Sequence, residues 1–211
     1  MRILSFFVLF GWAVSGCKDP AANVTSATVE SATGEKAAAP AGATPGEALA
    51  SLAINPSNTK VEFVGAKVTR SHDGGFTDFA GMVELNDPIE KSQIDITIQT
   101  ASLYADEEKL TKHLKSDDFF AVEKYPTATF RSTEIRKEGD GHVITGDLTL
   151  HGITKRISFP ATITATDREV SATSEFSINR HDFAITYPGM PDDLIRDLVV
   201  LKLSLKLPRQ S

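Results

Sequence analysis

Few residues in this chain are of a type and spacing that could do chemistry. Cys17 is the only cysteine, so the chain cannot close a disulfide on itself. Its five histidines are scattered. His142 and His151 fall on opposite parity of one alternating run and would not face one metal. His151, before Gly152, reads as a turn residue, and no spacing brings His72 to His181. Nucleophile-elbow, H-E-x-x-H, phosphate-loop and dinucleotide signatures do not occur, so hydrolase, zinc-protease and nucleotide chemistry lack a starting point. No catalytic residue, metal ligand or cofactor is assigned.

Two arginines remain. Arg180 precedes, and Arg196 closes, the polar stretch Tyr187 to Asp197 (YPGMPDDLIRD). Guanidinium matches phosphate oxygens bidentately, so the pair would suit an anionic head group. The blander reading pairs Arg196 with Asp192, Asp193 or Asp197 and leaves a solvated loop.

The elements that must position these groups are strands. Gly146 to Phe159 (GDLTLHGITKRISF) alternates Leu148 and Leu150 with polar residues, breaks at His151-Gly152, then resumes at Ile157 and Phe159. Period two with a Gly-containing break marks an antiparallel hairpin. The same logic recurs at Val61 and Phe63, Phe79 and Val83, Ile94, Ile96 and Ile98, and Ala128 and Phe130. It continues at Phe176 and Ile178 and ends at Leu201 and Leu203. His72-Asp73-Gly74-Gly75 reads as a turn. About eight strands at short intervals predict an all-β barrel or sandwich.

One short helix interrupts them. Asp106, Glu107 and Glu108 precede Lys109, Lys112 and Lys115, a charge order that suits the helix dipole. Leu110 and Leu114 share a face. Phe119-Phe120 follow as a lid over one end of the sheet or as ordinary packing.

The inward parity includes Gly65, Gly81, Ala128, Gly146, Ala161, Ala172 and Ser174. An eight-stranded barrel either fills with side chains or holds one small ligand. Small inward residues favour a void unless they mark bulges. The void would be walled by the large inward residues named above.

The N-terminus has a different character. Arg2 precedes an apolar run from Ile3 to Val14, shorter than the roughly 20 residues a spanning helix needs, which reads as a secretory signal over residues 1–16. Val14-Ser15-Gly16-Cys17 resembles the bacterial lipoprotein signal, in which the cysteine is acylated; the alternative is an incidental cysteine behind an ordinary signal. Lys18 at the next position favours the outer over the inner membrane by analogy with enteric bacteria. The rest of residues 17–50 is poor in large apolar residues and reads as a flexible tether, with a coil reach of roughly 30 Å. The barrel domain then occupies residues 51–211. A net charge of −6 argues against a nucleic-acid partner.

Six runs occur in order: Lys60-Val61-Glu62-Phe63; Gly75-Phe76 through Phe79 and Gly81; His113 through Phe120; Lys124-Tyr125-Pro126; Gly146 through Gly152; and Asn179-Arg180-His181-Asp182-Phe183. Together they resemble the YceI-like family over about residues 51–207. The resemblance implies a lipocalin-like, extended eight-stranded antiparallel β-barrel in the bacterial periplasm. It also implies a bound polyisoprenoid, isoprenoid quinone or other long amphiphile, and a binding protein rather than an enzyme. Phe183 and Arg180 join the ligand-contacting set on this basis. Two positions depart from the family pattern: Lys67 stands where a histidine is frequent, and Ala184 stands where the run ends in glycine. The leading expectation is an anchored periplasmic lipoprotein that sequesters or carries an isoprenoid-type molecule. A stress-response scaffold with a self-filled barrel and an unrecognised lipid-modifying enzyme are the alternatives. Monomer and homodimer are both open.

Overall fold

The computed structural model describes residues 18–31 and 48–209. The signal segment, the acylation expected at Cys17 and the 32–47 part of the linker lie outside the described residues.

In chain order the strands are β1 (Thr28–Ser31), β2 (Ala50–Ile54), β3 (Thr59–Ala66), β4 (Ser71–Phe76), β5 (Phe79–Leu85), β6 (Gln93–Gln99) and β7 (Leu103–Ala105). Helix α1 (Glu108–Lys115) precedes β8 (Thr127–Glu138), β9 (Gly141–Leu150), β10 (Ile153–Ala165) and β11 (Glu169–Asn179). A small hairpin of β12 (Gly189–Met190) and β13 (Asp193–Leu194) leads into β14 (Leu198–Pro208). The main sheet is antiparallel and runs β2-β5-β6-β8-β9-β10-β11-β14-β3-β4-β7. The eight strands expected from alternation are consecutive within it, from β5 round to β3, and the sheet curls into a barrel. Its ladder ends at β2 and β7 rather than closing. Leu52, Ile54, Val61, Val170 and Leu207 fill the space where β2 approaches β14.

The β9–β10 hairpin has the expected register, Leu150 opposite Ile153. Both turn residues, His151 and Gly152, have positive φ (51° and 74°), the conformation that a two-residue I′ turn requires. The expected turn at His72–Gly75 is corrected: these residues lie in β4, paired with β3 and β7. The reversal comes earlier, where Lys67 N–H donates to the Arg70 carbonyl (2.8 Å). Gly74 is glycine because a β-carbon there would collide with the Phe63 ring and the Tyr104 carbonyl.

Strands β10 and β11 pair only from Thr162–Thr173 to Ala165–Val170. The ladder stops at Pro160, whose carbonyl accepts a hydrogen bond from Ser174 Oγ. A strand residue points its N–H and C=O to the same side, and proline has no N–H to offer β11. Below this point the strands splay, bridged inside by the stacked rings of Phe159 and Phe176 (centroids 4.2 Å, 9°).

The N-terminal arm fills that seam, which corrects the tether expectation for residues 18–31. β1 pairs with β10 from Thr28–Ser158 to Ser31–Lys155. Thr25 and Ala27 exchange backbone hydrogen bonds with Ser177 of β11 (3.0 and 2.8 Å). Upstream, Ala21 is buried against Val64 and Val200 on the outer wall, with Val24 and Leu198 beside them. A segment poor in large side chains is ordered because an unpaired strand edge supplies backbone partners.

Candidate functional site

A cavity of about 500 Å³ occupies one end of the barrel, within the range of small-molecule sites. Its wall is built by the strand ends nearest α1: Val61, Phe63 and Gly65 of β3, Ile98 of β6, Ala128 of β8, Leu148 and Leu150 of β9, Ile178 of β11 and Leu201 of β14. Leu110 and Leu114 of α1 face it, as their spacing predicts, and Phe119 and Phe120 lie beneath the helix. Phe120 meets Phe76 edge-on (5.9 Å), while Phe119 packs on His113 and Tyr187 (5.0 and 5.2 Å). The two phenylalanines thus line the cavity and pack against neighbouring rings, which fits a lid and ordinary packing alike.

Ten of the twenty sequence-nominated residues reach this cavity: Val61, Phe63, Ile98, Phe119, Phe120, Leu148, Leu150, Ile178, Arg180 and Leu201. The other ten belong to the packed core instead. Phe79 and Val83 are buried with Leu52 and Leu207, and Ile96 packs against them. Ile157, Phe159, Phe176 and Phe183 form a second cluster, flanked by Phe130, Ile94 and Leu203. Distance along the strand does not separate the two sets: Phe79 stands opposite Ile98 and Phe130 opposite Leu148, both cavity residues, yet Phe79 and Phe130 pack into the core clusters. Gly146 and Gly81 make no room for a ligand: a β-carbon would meet the Phe130 ring at one and the Asp95 carbonyl at the other. Gly65 and Ala128 do line the cavity.

The rim is polar. Lys67 pairs with Asp193, which also accepts from Thr69 Oγ1 (2.9 Å). Arg70 pairs with Glu107, and His72 with Asp106 (2.8 Å). The hydrogen bond from Lys67 holds the Asp193 carboxyl below the ordinary carboxylate value.

Neither reading of the arginines survives. Arg180 is buried and spends its guanidinium on backbone carbonyls: Nη1 donates to Ile185 (2.7 Å), Nε to Arg196 (3.1 Å) and Nη2 to Ile195 (3.4 Å). Burial pulls its pKa below the ordinary arginine value, partly offset by Asp197. It staples the 185–197 loop and has no fork free for a head group. Arg196 pairs with none of the loop aspartates; Nη1 donates to Oδ2 of Asp19 in the N-terminal arm (2.9 Å). Ala184, after this run, sits in the left-handed region (φ 54°, ψ 24°), a conformation that favours the glycine expected there from the resemblance.

His151 Nδ1–H donates to the Phe183 carbonyl (3.1 Å) and the ring packs on Tyr125, so it is a turn residue. His72 and His181 have separate partners, Asp106 and Asp197. Among the described residues no three His, Cys, Asp or Glu side chains converge as metal ligands. Alternation missed the wall residues outside the long strands, Ile185, Tyr187, Met190 and Ile195, because irregular backbone and a two-residue strand carry no readable period. The one legible signal for them was the concentration of turn formers between Tyr187 and Asp197.

An open antiparallel barrel with an apolar end cavity under a helix defines a lipocalin-like fold. The family model for the YceI-like domain matches residues 52–207, and the chain belongs to that family. It is similar to a UPF0312 protein of Photorhabdus laumondii (46% identity over 86 residues, 40% of this chain and 44% of that protein). A UPF0312 protein of Pseudomonas putida aligns at 36% over 124 residues, 55% and 65% of the two chains. Protein YceI of Escherichia coli aligns at 44% over 91 residues, 42% and 47%. The matched stretch thus spans about half to two thirds of these relatives' lengths. Among solved structures, Burkholderia cenocepacia BcnA shares the fold with a TM-score of 0.65 at 23% identity, over 72% of this chain and 98% of that one. So does a polyisoprenoid binding domain from Saccharophagus degradans, with a TM-score of 0.62 at 14% identity, over 76% and 99%.

Proposed function

We propose that this protein holds one long apolar molecule of the isoprenoid type, a polyisoprenoid or an isoprenoid quinone, with its chain in the barrel, and that it sequesters or carries it. The observation that carries this reading is the apolar cavity of about 500 Å³ behind a polar rim, a shape that sorts an amphiphile tail-inward. Each buried methylene would contribute about 0.8 kcal/mol, so a modest length of chain suffices for tight binding. The family relation and the shared fold with a polyisoprenoid binding domain support the ligand class. In this reading the protein is a binder rather than an enzyme, which is supported by the family relation and by the engagement of the charged side chains near the cavity in pairs or in the Arg180 staple. In this reading the chain is exported, acylated at Cys17 and held on the periplasmic side of a membrane, the outer one favoured by Lys18. Native mass spectrometry of protein purified from its own host, followed by lipid extraction, tests the ligand. A retained isoprenoid mass is expected, and a barrel that is empty and refuses added isoprenoid would contradict it.

A further inference from the structure

We infer that the cavity end of the barrel is a membrane-docking face, on which the β12–β13 hairpin seats in the bilayer surface beside the anchor. The inference rests on the proposed acylation of Cys17 and extends it. Three observations meet at this end.

Arg196 lines the cavity and pairs with Asp19. Asp19 is two residues from Cys17 in sequence, so the intervening chain spans at most about 7 Å. The barrel therefore does not swing on a long leash. Its cavity rim is pinned next to the acyl group.

The arm is held there along its length. Ala21 is buried on Val64 and Val200, Thr25 and Ala27 bond Ser177, and β1 extends the β10 edge.

The rim also carries exposed apolar side chains. Of the six large hydrophobic residues that are exposed among the described residues, three gather here: Met190 (63%), Val68 (50%) and Leu194 (49%). Val68 N–H donates to the Leu194 carbonyl (3.1 Å) on the outer side of the hairpin, while Met190 lies on its cavity side. The hairpin thus carries an apolar side chain on each side, while its turn is Pro191 and the exposed Asp192, which stands in no ion pair among the described residues and would lie in the head-group layer. The nearby carboxylates of Asp19, Glu107 and Asp193 are each paired with a cation, Arg196, Arg70 and Lys67, which lessens the cost of bringing them against lipid. An amphiphile leaving the bilayer would then meet the cavity without crossing bulk water.

The test uses the full chain, processed in a bacterial host, carrying Leu194→Cys or the distant Leu49→Cys, each labelled with an environment-sensitive dye. Leu49 pairs with Leu85 at the opposite end of the barrel. The proteins are reconstituted on phosphatidylcholine vesicles with and without a doxyl-labelled lipid, and acylation is read by mass and by flotation. A blue shift and doxyl quenching at position 194, with neither at 49, is expected. Acylated, floating protein without quenching at 194 overturns the docking face and leaves the anchor standing. A chain that is neither acylated nor floating overturns the anchor reading, and the docking face with it. A dye shift at 194 that needs no vesicles and grows with protein concentration places a second copy on the hairpin and overturns the inference.

Discussion

The Arg180 guanidinium donates to the Ile185 carbonyl at 2.7 Å, tying the loop that leaves its own short helical turn. Because it also reaches Ile195 and Arg196, one buried cation fixes both ends of the segment that walls the cavity. Arg180→Ala leaves those carbonyls without partners and is expected to cost about 2–4 kcal/mol, read by chemical denaturation. Affinity for a phosphorylated isoprenoid and for a neutral quinone should fall by the same factor. A loss confined to the phosphorylated ligand would restore Arg180 as a head-group contact.

Ala184 adopts φ 54°, a conformation that costs a residue with a β-carbon about 1 kcal/mol. Ala184→Gly should therefore raise stability, offset in part by the greater freedom of glycine in the unfolded chain. For a domain of this size a net gain of about 0.5 kcal/mol appears as roughly 1–2 °C in Tm.

Ala21 is buried between Val64 and Val200. Ala21→Asp places a charge on that apolar patch and should release the arm. Hydrogen exchange would then quicken at Lys155 to Ser158 and at Ser177, with the distant β5–β6 ladder unchanged. Equal loss of protection everywhere would mean that the arm is part of the cooperative core.

Asp193 has its carboxyl held low by the hydrogen bond from Lys67. Such a group contributes stability that is present above the ordinary carboxylate value near 3.8 and is lost as pH falls through its own, lower value. Between neutrality and mild acidity the β12–β13 hairpin should hold. Below that window amide exchange at Met190 and Leu194 should rise, and Asp193→Asn should show faster exchange already at neutral pH.

The barrel was legible because alternation at period two survives in every long strand, from Val61 and Phe63 to Leu201 and Leu203. The same period could not say which inward residues line the cavity and which pack into the core. Leu148 and Phe159 share the inward parity of one hairpin, yet the first lines the cavity and the second stacks on Phe176. Gly74 was misread because glycine signals both a turn and a close approach of neighbouring strands, and only the Phe63 ring distinguishes them. The docking of residues 18–31 left no signal in composition. It depends on a vacancy between β10 and β11 created by Pro160, some 130 residues away (positions 28 and 160).

The central claim is that the cavity under α1 holds the apolar chain. Leu148 faces it, and Leu148→Trp would occupy that space while leaving the Phe159–Phe176 stack intact. Native mass spectrometry of both proteins from the same host measures this directly. The wild type should retain an isoprenoid mass, and the variant, with an unchanged circular dichroism spectrum, should carry none. An empty wild type, or a variant that retains the ligand equally well, would contradict the account.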